Sequence, residues 1–230
     1  GGEQGISYEP VRQQKQEEKK SFALPPASPT MRRLYAYLLQ HRGISREVLD
    51  AFVHAKLIYE SVEPSRDGSK VHHNAVFIGT DEHGVARHAH RRGLYTFGEG
   101  FKRNVTGCDP CYSFHHCGTS DRLYVFEAPI DLLSFLSIYP QDWQEHSYVS
   151  LCGTSQHALM WMLEQNPALQ KIALCLDNDA AGVKATARLT ESLQEKGYEQ
   201  IGVLTPKHKD WNEDLTSDEP TVENEVTMTM

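Results

Sequence analysis

Ile172 to Arg188, IALCLDNDAAGVKATAR, changes its hydrophobic period partway along. Ile172 to Leu176 is a short apolar run of the length of a buried strand. From Ala180 to Lys196 the spacing of Val183, Ala187 and Leu193 is helical and stops at Gly197. Asp177 and Asp179 therefore stand where a strand ends and a helix begins. In an open α/β sheet that edge is where ligands bind, and two carboxylates one residue apart suit a hard divalent cation, Mg²⁺ or Mn²⁺. Asp-x-Asp pairs also occur in ordinary loops, where their side chains bond the local backbone. The pair needs a third acidic group to read as a metal site.

LYVFEAPIDLLSFLSIY supplies one. Leu123 to Phe126 is a second short apolar strand, followed directly by Glu127. Pro129 opens a helix whose buried face is Leu132, Leu133 and Leu136. Glu127 is thus another strand-end carboxylate, either a metal ligand or the general base of a catalytic site. Asp131 lies one turn into the helix, where a negative charge also complements the helix dipole. With Asp210 it forms a further candidate acidic site.

Charge is unevenly distributed along the 230 residues, whose net value is −8. Residues 31–107 carry twelve Lys or Arg against eight Asp or Glu, whereas residues 121–209 carry seven against eleven. A basic part beside an acidic, cation-collecting part suits a protein that handles a phosphate backbone. Candidate nucleic-acid or nucleotide contacts are Arg91, Arg92, Lys102, Arg103, Lys184, Arg188 and Lys209. For each, a solvated surface charge is the competing explanation, and Asp210 and Asp214 could simply begin an acidic tail.

The chain divides into a flexible polar, Pro-rich leader (1–29), a basic α+β domain (30–118), an α/β domain with a central, mostly parallel sheet (119–216) and an acidic flexible tail (217–230). In the basic domain, Met31 to Gln40 places Met31, Leu34, Tyr35, Leu38 and Leu39 on one helical face. A second helix starts near Ser45 with Val48, Leu49 and Phe52 inside, and Asn74 to Ile78 and Gly84 to Arg91 form a strand pair. Five cysteines without disulfide-like spacing suit a reducing compartment. Cys152 and Cys175 read as core residues of apolar strands. Cys108, Cys111, His115, His116 and Cys117 offer enough donors for zinc, but all lie within ten residues and lack the usual second ligand pair, which speaks against a zinc site. No run reaches the length of a membrane span or signal segment, so the expected location is the cytoplasm, with no membrane partner.

Four segments in order resemble the toprim domain of bacterial replicative primases, topoisomerases and some nucleases: Glu127-Ala128-Pro129-Ile130-Asp131, Gly153 in SLCGTS, DNDAAGVKATARL with Ala181-Gly182, and Lys209-Asp210-Trp211-Asn212-Glu213-Asp214-Leu215. The family usually has glycine where Ala128 stands. Tyr37 to Ser45 resembles the start of the primase catalytic core. Gly107 to Phe114 is similar to a segment of the uncharacterised domain found ahead of toprim in proteins of conjugative and other mobile elements. The resemblance implies a Rossmann-like toprim fold and Mg²⁺- or Mn²⁺-dependent nucleotidyl or phosphoryl transfer, with Glu127, Asp177 and Asp179 as metal ligands and Glu127 as the catalytic residue. It further implies a primase-like enzyme of a mobile element, single-stranded DNA template and nucleotides as partners, and a helicase or relaxase beside it. A topoisomerase would need a tyrosine nucleophile on another large domain. A toprim nuclease, or a non-catalytic single-stranded-DNA-binding module, remains the alternative.

Overall fold

The computed structural model describes residues 21–65, 67–96 and 100–217. Residues 218–230 of the expected tail (217–230), and the first twenty residues of the leader, lie outside them. Described leader residues 25–28 run beside the first strand: Val62 N donates to Pro26 O at 3.0 Å, Ser28 N to Glu60 O at 2.7 Å, and the Tyr59 hydroxyl to Pro25 O at 2.6 Å. Proline cannot donate from its backbone but its carbonyl accepts, so Pro25 and Pro26 supply acceptors along this edge and Ser28 supplies the donor.

A short helix, α1 (Arg32–Tyr35), widens into a π-helical turn over Ala36–His41. Arg42 N then donates to Tyr37 O at 3.0 Å, and Gly43 takes the left-handed φ of 68° that ends the turn. The wider turn rotates the face expected from regular helical spacing. Leu34, Tyr37 and Leu38 are buried, whereas Met31 is exposed and Tyr35 reaches sideways to donate to Asp50. Helix α2 (Arg46–His54) starts as expected at Ser45, whose hydroxyl accepts from Val48 N. Four strands follow as an antiparallel meander, β1 (Ile58–Pro64), β2 (Val71–Thr80), β3 (Ala86–Gly93) and β4 (Lys102–Asn104).

The second sheet has the order β5-β7-β6-β8-β9, built from β5 (His115–His116), β6 (Arg122–Phe126), β7 (Ser147–Ser150), β8 (Lys171–Leu174) and β9 (Gln200–Val203). All neighbours are parallel except β5 with β7. Its inner strands are buried on both faces, which explains why they read as continuous apolar runs. Strand period then sorts their side chains. Tyr124, Phe126, Tyr148, Ala173 and Cys175 join one core with α3 (Pro129–Ile138), the N-terminal helices, Trp143 and Trp211. Leu123, Val125, Val149, Ile172 and Leu174 join a second core with α4 (His157–Gln165) and α5 (Ala180–Glu195). The first core runs from Leu34 and Phe52 through to Trp211, so the basic part is packed directly onto the parallel sheet. The last helix, α6 (Trp211–Thr216), closes this face through Trp211, whose indole N–H donates to Cys175 O at 2.8 Å.

Two burial expectations change. The inward face of α5 is Gly182, Ala185, Leu189 and Leu193; of the three residues expected from the spacing only Leu193 is buried, Val183 being 61% exposed and Ala187 exposed as well. The helix must bring Gly182 against Asp177, and this rotates Val183 to solvent. Cys175 is fully buried, but Cys152 lies beyond β7 in a turn with left-handed φ of 50° and is not a strand-core residue.

Candidate active site

Because β6 and β8 are adjacent and parallel, with Val125 opposite Leu174, Glu127 and Asp177 emerge at the same sheet edge although fifty residues separate them. Both line a cleft of about 440 Å³. Its acidic lining is Glu127, Asp131, Asp177 and Asp210, and its basic lining is Arg42, Arg92, Lys102, Arg103 and Lys209. Glu127 Oε2 and Asp177 Oδ1 are buried and have no hydrogen-bond partner. Unpaired buried carboxylate oxygens cost free energy, and two at one strand-end edge form a cradle for a cation.

The electrostatics agree. Burial, then the charges of Glu127, Asp210 and Asp179, push the Asp177 carboxyl up to about 7. Burial and Asp179 raise Glu127, and burial with Asp177 and Asp210 nearby raises the Asp131 carboxyl well above the usual range. Such a cluster holds its charge poorly without a counter-cation.

Asp179 is placed differently from Asp177. Its Oδ1 accepts from Ala181 N at 3.0 Å and Gly182 N at 2.9 Å as the N-cap of α5, and it does not line the cleft. Among the described residues no group of three His, Cys, Asp or Glu side chains converges on a single ion position. Asp210 similarly uses Oδ1 to cap α6 through Glu213 N, at 2.8 Å.

Of the expected basic contacts, Arg92, Lys102, Arg103 and Lys209 line the cleft and three do not; Arg103 stands opposite Arg91 in the register and so borders the cleft rather than pointing into it as Arg92 and Lys102 do. Successive residues of β3 face opposite ways, so Arg91 points away from Arg92, pairs with Glu63 at 2.9 Å and lies over the Phe101 ring. Lys184 and Arg188 are exposed on the outer side of α5, and Arg188 bonds the Thr154 carbonyl. The candidate zinc donors pack as ordinary side chains: His115 Nδ1 lies 2.7 Å from Ser113 O and His116 Nε2 lies 3.2 Å from Gln144 O.

The sequence reading missed Arg42, His90, Asn104 and Asn212. Arg42 donates to the Tyr37 hydroxyl at 2.7 Å and to Asn212 Oδ1 at 3.0 Å. Asn212 Nδ2 in turn donates to Arg42 O at 2.8 Å and Ser134 Oγ at 2.9 Å. The turn before α2, helix α3 and helix α6 are thereby locked around the cleft. His90 could have been found by strand period, two residues before Arg92; the Arg42 to Asn212 pairing spans 170 positions and carries no local signal.

The family described as Toprim-like matches residues 124–215, which include Glu127, Asp131, Asp177, Asp179 and Asp210. Residues 124–215 are a toprim-like domain. Ahead of the toprim-like domain, residues 36–120 match a family described as a protein of unknown function (DUF3991). An uncharacterized protein of Mycoplasma pneumoniae, described as an MG010 homolog, is 32% identical over 100 residues; the match covers 41% of this chain and 42% of that relative, less than half its length. The structure is similar to the primase fragment of the bacteriophage T7 primase-helicase protein, with a TM-score of 0.57, 20% identity, and coverage of 76% of this chain and 67% of that one. It is also similar to the Escherichia coli primase catalytic core, with a TM-score of 0.54, 17% identity, and coverage of 80% and 69%. At these identities the likeness is one of fold. It includes the small domain, because coverage exceeds the toprim-like part. Among the described residues no helix is long and apolar enough to cross a membrane.

Proposed function

We propose that this chain is the catalytic part of a primase-like nucleotidyltransferase that extends a strand on a single-stranded DNA template, for a mobile element in the cytoplasm and beside a helicase or relaxase. The observation that carries this reading is the cleft itself. Two strand-end carboxylates with unpartnered oxygens share with Arg92, Lys102 and Arg103 a space that suits a nucleotide.

Glu127 Oε2 and Asp177 Oδ1 would hold Mg²⁺ or Mn²⁺, and Asp179, whose Oδ1 caps α5, would join them only by turning its other oxygen toward the cleft. Asp131 and Asp210 form the further acidic site behind them. A divalent cation there supplies charge neutralisation at triphosphate oxygens and a lowered pKa for an attacking hydroxyl. Arg92, Lys102, Arg103 and Lys209 bind phosphate oxygens of the incoming nucleotide and the template. In the alternative role, Glu127, whose carboxyl is raised above its ordinary value, would leave the cation to Asp177 and Asp179 and take the proton from a 3′-hydroxyl at Oε2.

A second reading follows from Asp179. Its use as a helix cap leaves Glu127 and Asp177 as the two strand-end carboxylates in the cleft with buried, unpartnered oxygens, one ligand fewer than expected, which favours a non-catalytic single-strand-binding module. A primer-synthesis assay on single-stranded DNA with labelled nucleotides separates the two. Divalent-dependent incorporation that is lost in Asp177→Asn while strand binding persists supports the enzyme. Strand binding without incorporation or nicking, also when a helicase partner is supplied, supports the module.

A further inference from the structure

We propose that His90 is the hydrogen-bond acceptor for a ribose hydroxyl of the nucleotide bound in the cleft, and that Asn104 holds it in that role; this rests on the nucleotidyl-transfer reading.

His90 is 8% exposed and lines the cleft on the wall that otherwise presents Arg92, Lys102 and Arg103. Its Nδ1 lies 2.6 Å from Asn104 Oδ1. The direction of that bond is set from the other end of the amide, because Asn104 Nδ2 donates to the Cys152 carbonyl at 3.4 Å. With Nδ2 facing a carbonyl, Oδ1 faces the ring, so the ring proton resides on Nδ1 and Nε2 keeps its lone pair. Nε2 has no hydrogen-bond partner among the described residues, and His90 lines the cleft. The acceptor is therefore available to a donor bound there. Burial and the nearby charges of Lys102, Arg92 and Arg91 hold the imidazole below its ordinary pKa, against the opposing bond to Asn104, so the ring is neutral at physiological pH.

A neutral acceptor on a wall of cations requires a particular kind of ligand atom. Guanidinium and ammonium groups donate to phosphate oxygens, but an imidazole lone pair repels them and needs an O–H or N–H. Base donors differ among the four nucleotides, and on a template they face the opposing base. The ribose hydroxyls are common to all four. The acceptor is also tied to the carboxylate wall: Asn104 bonds the carbonyl of Cys152, the next residue is Gly153, and Gly153 N donates to Glu127 O at 3.2 Å. Sugar and reacting phosphates would thus be registered against each other through one short stretch of backbone.

The test is equilibrium binding, with Mg²⁺ present, of ATP, 2′-deoxy-ATP and 3′-deoxy-ATP, and of the same three forms of GTP. Wild-type protein should bind the ribonucleotide roughly three- to tenfold more tightly than at least one deoxy analogue, with the same ratio for both bases, as expected for one neutral hydrogen bond. His90→Ala and Asn104→Ala should lose that ratio while keeping affinity for the deoxy form, and His90→Gln, which retains an acceptor and the fold by thermal melting, should keep part of it. Equal binding of all three forms by wild type, a ratio that differs between the bases, or a ratio unchanged in His90→Ala overturns the proposal. The nucleotidyl-transfer reading fails by a different sign: wild type that discriminates sugars in binding yet incorporates no nucleotide on a template with Mg²⁺ or Mn²⁺.

Discussion

A Cβ built on Gly182 would lie 2.0 Å from the Asp177 carbonyl oxygen. Helix α5 therefore packs its first turn onto the strand-end loop more closely than any side chain permits, and this contact sets the position of both Asp177 and the Asp179 cap. Gly182→Ala should lower stability by about 1–3 kcal/mol despite the better helix propensity of alanine, and should weaken divalent binding. Gly202→Ala, where a Cβ meets nothing within 4 Å, should stay near wild type in both respects. Urea melts and Mn²⁺ titrations of the two variants check this.

Asp177 makes the cation-free protein sensitive to rising pH. Its folded carboxyl is raised to about 7 from an ordinary 3.8, so folding is unpenalised below 3.8 and loses stability as pH climbs through 7. Asp177→Asn should be more stable than wild type by about 2 kcal/mol at pH 8 in chelator, after discounting the shift for partial exposure, and equal to it near pH 4. Mg²⁺ should stabilise wild type far more than the variant. A wild-type protein more stable than the variant at pH 8 in chelator contradicts the proposed strain.

His88 gives the opposite limb. It is 1% exposed, its Nδ1 has no partner, and burial with His90 nearby lowers its pKa to about 4 from 6.5. A depressed base stabilises the fold above 6.5 and loses that contribution as pH falls towards 4. Between pH 7 and 4.5 wild type should therefore lose about 2 kcal/mol relative to His88→Met, which has no proton to accept and leaves no buried nitrogen unpaired. Denaturant melts at the two pH values measure the difference.

Arg91 and Arg92 should separate cleanly. Arg92→Ala should weaken single-strand binding and reduce its salt dependence, because Arg92 lines the cleft. Arg91→Ala should leave binding near wild type and cost about 1 kcal/mol of stability through loss of the Glu63 pair. Equal binding losses would contradict a template held on the Arg92 face of β3.

Strands β6 and β8, helices α3 and α5 and the strand-end positions of Glu127 and Asp177 were legible locally, because an apolar run that turns helical at a carboxylate has few other folds available; β5, β9 and α4 were not read from the sequence. The face of β3 was legible in principle: strand period alone puts His90 with Arg92 and excludes Arg91. What tertiary structure alone decided was which groups meet. The rotation of α1 depends on a π-helical turn, Asp179 became a cap because α5 begins at once, and Arg42 found Asn212 because one core joins the N-terminal helices to α6. Local sequence records period and capping chemistry, which act over a few residues. Contacts between Arg42 and Asn212, or between Asn104 and the Cys152 carbonyl, are chosen by how whole layers pack, and no short-range pattern encodes them.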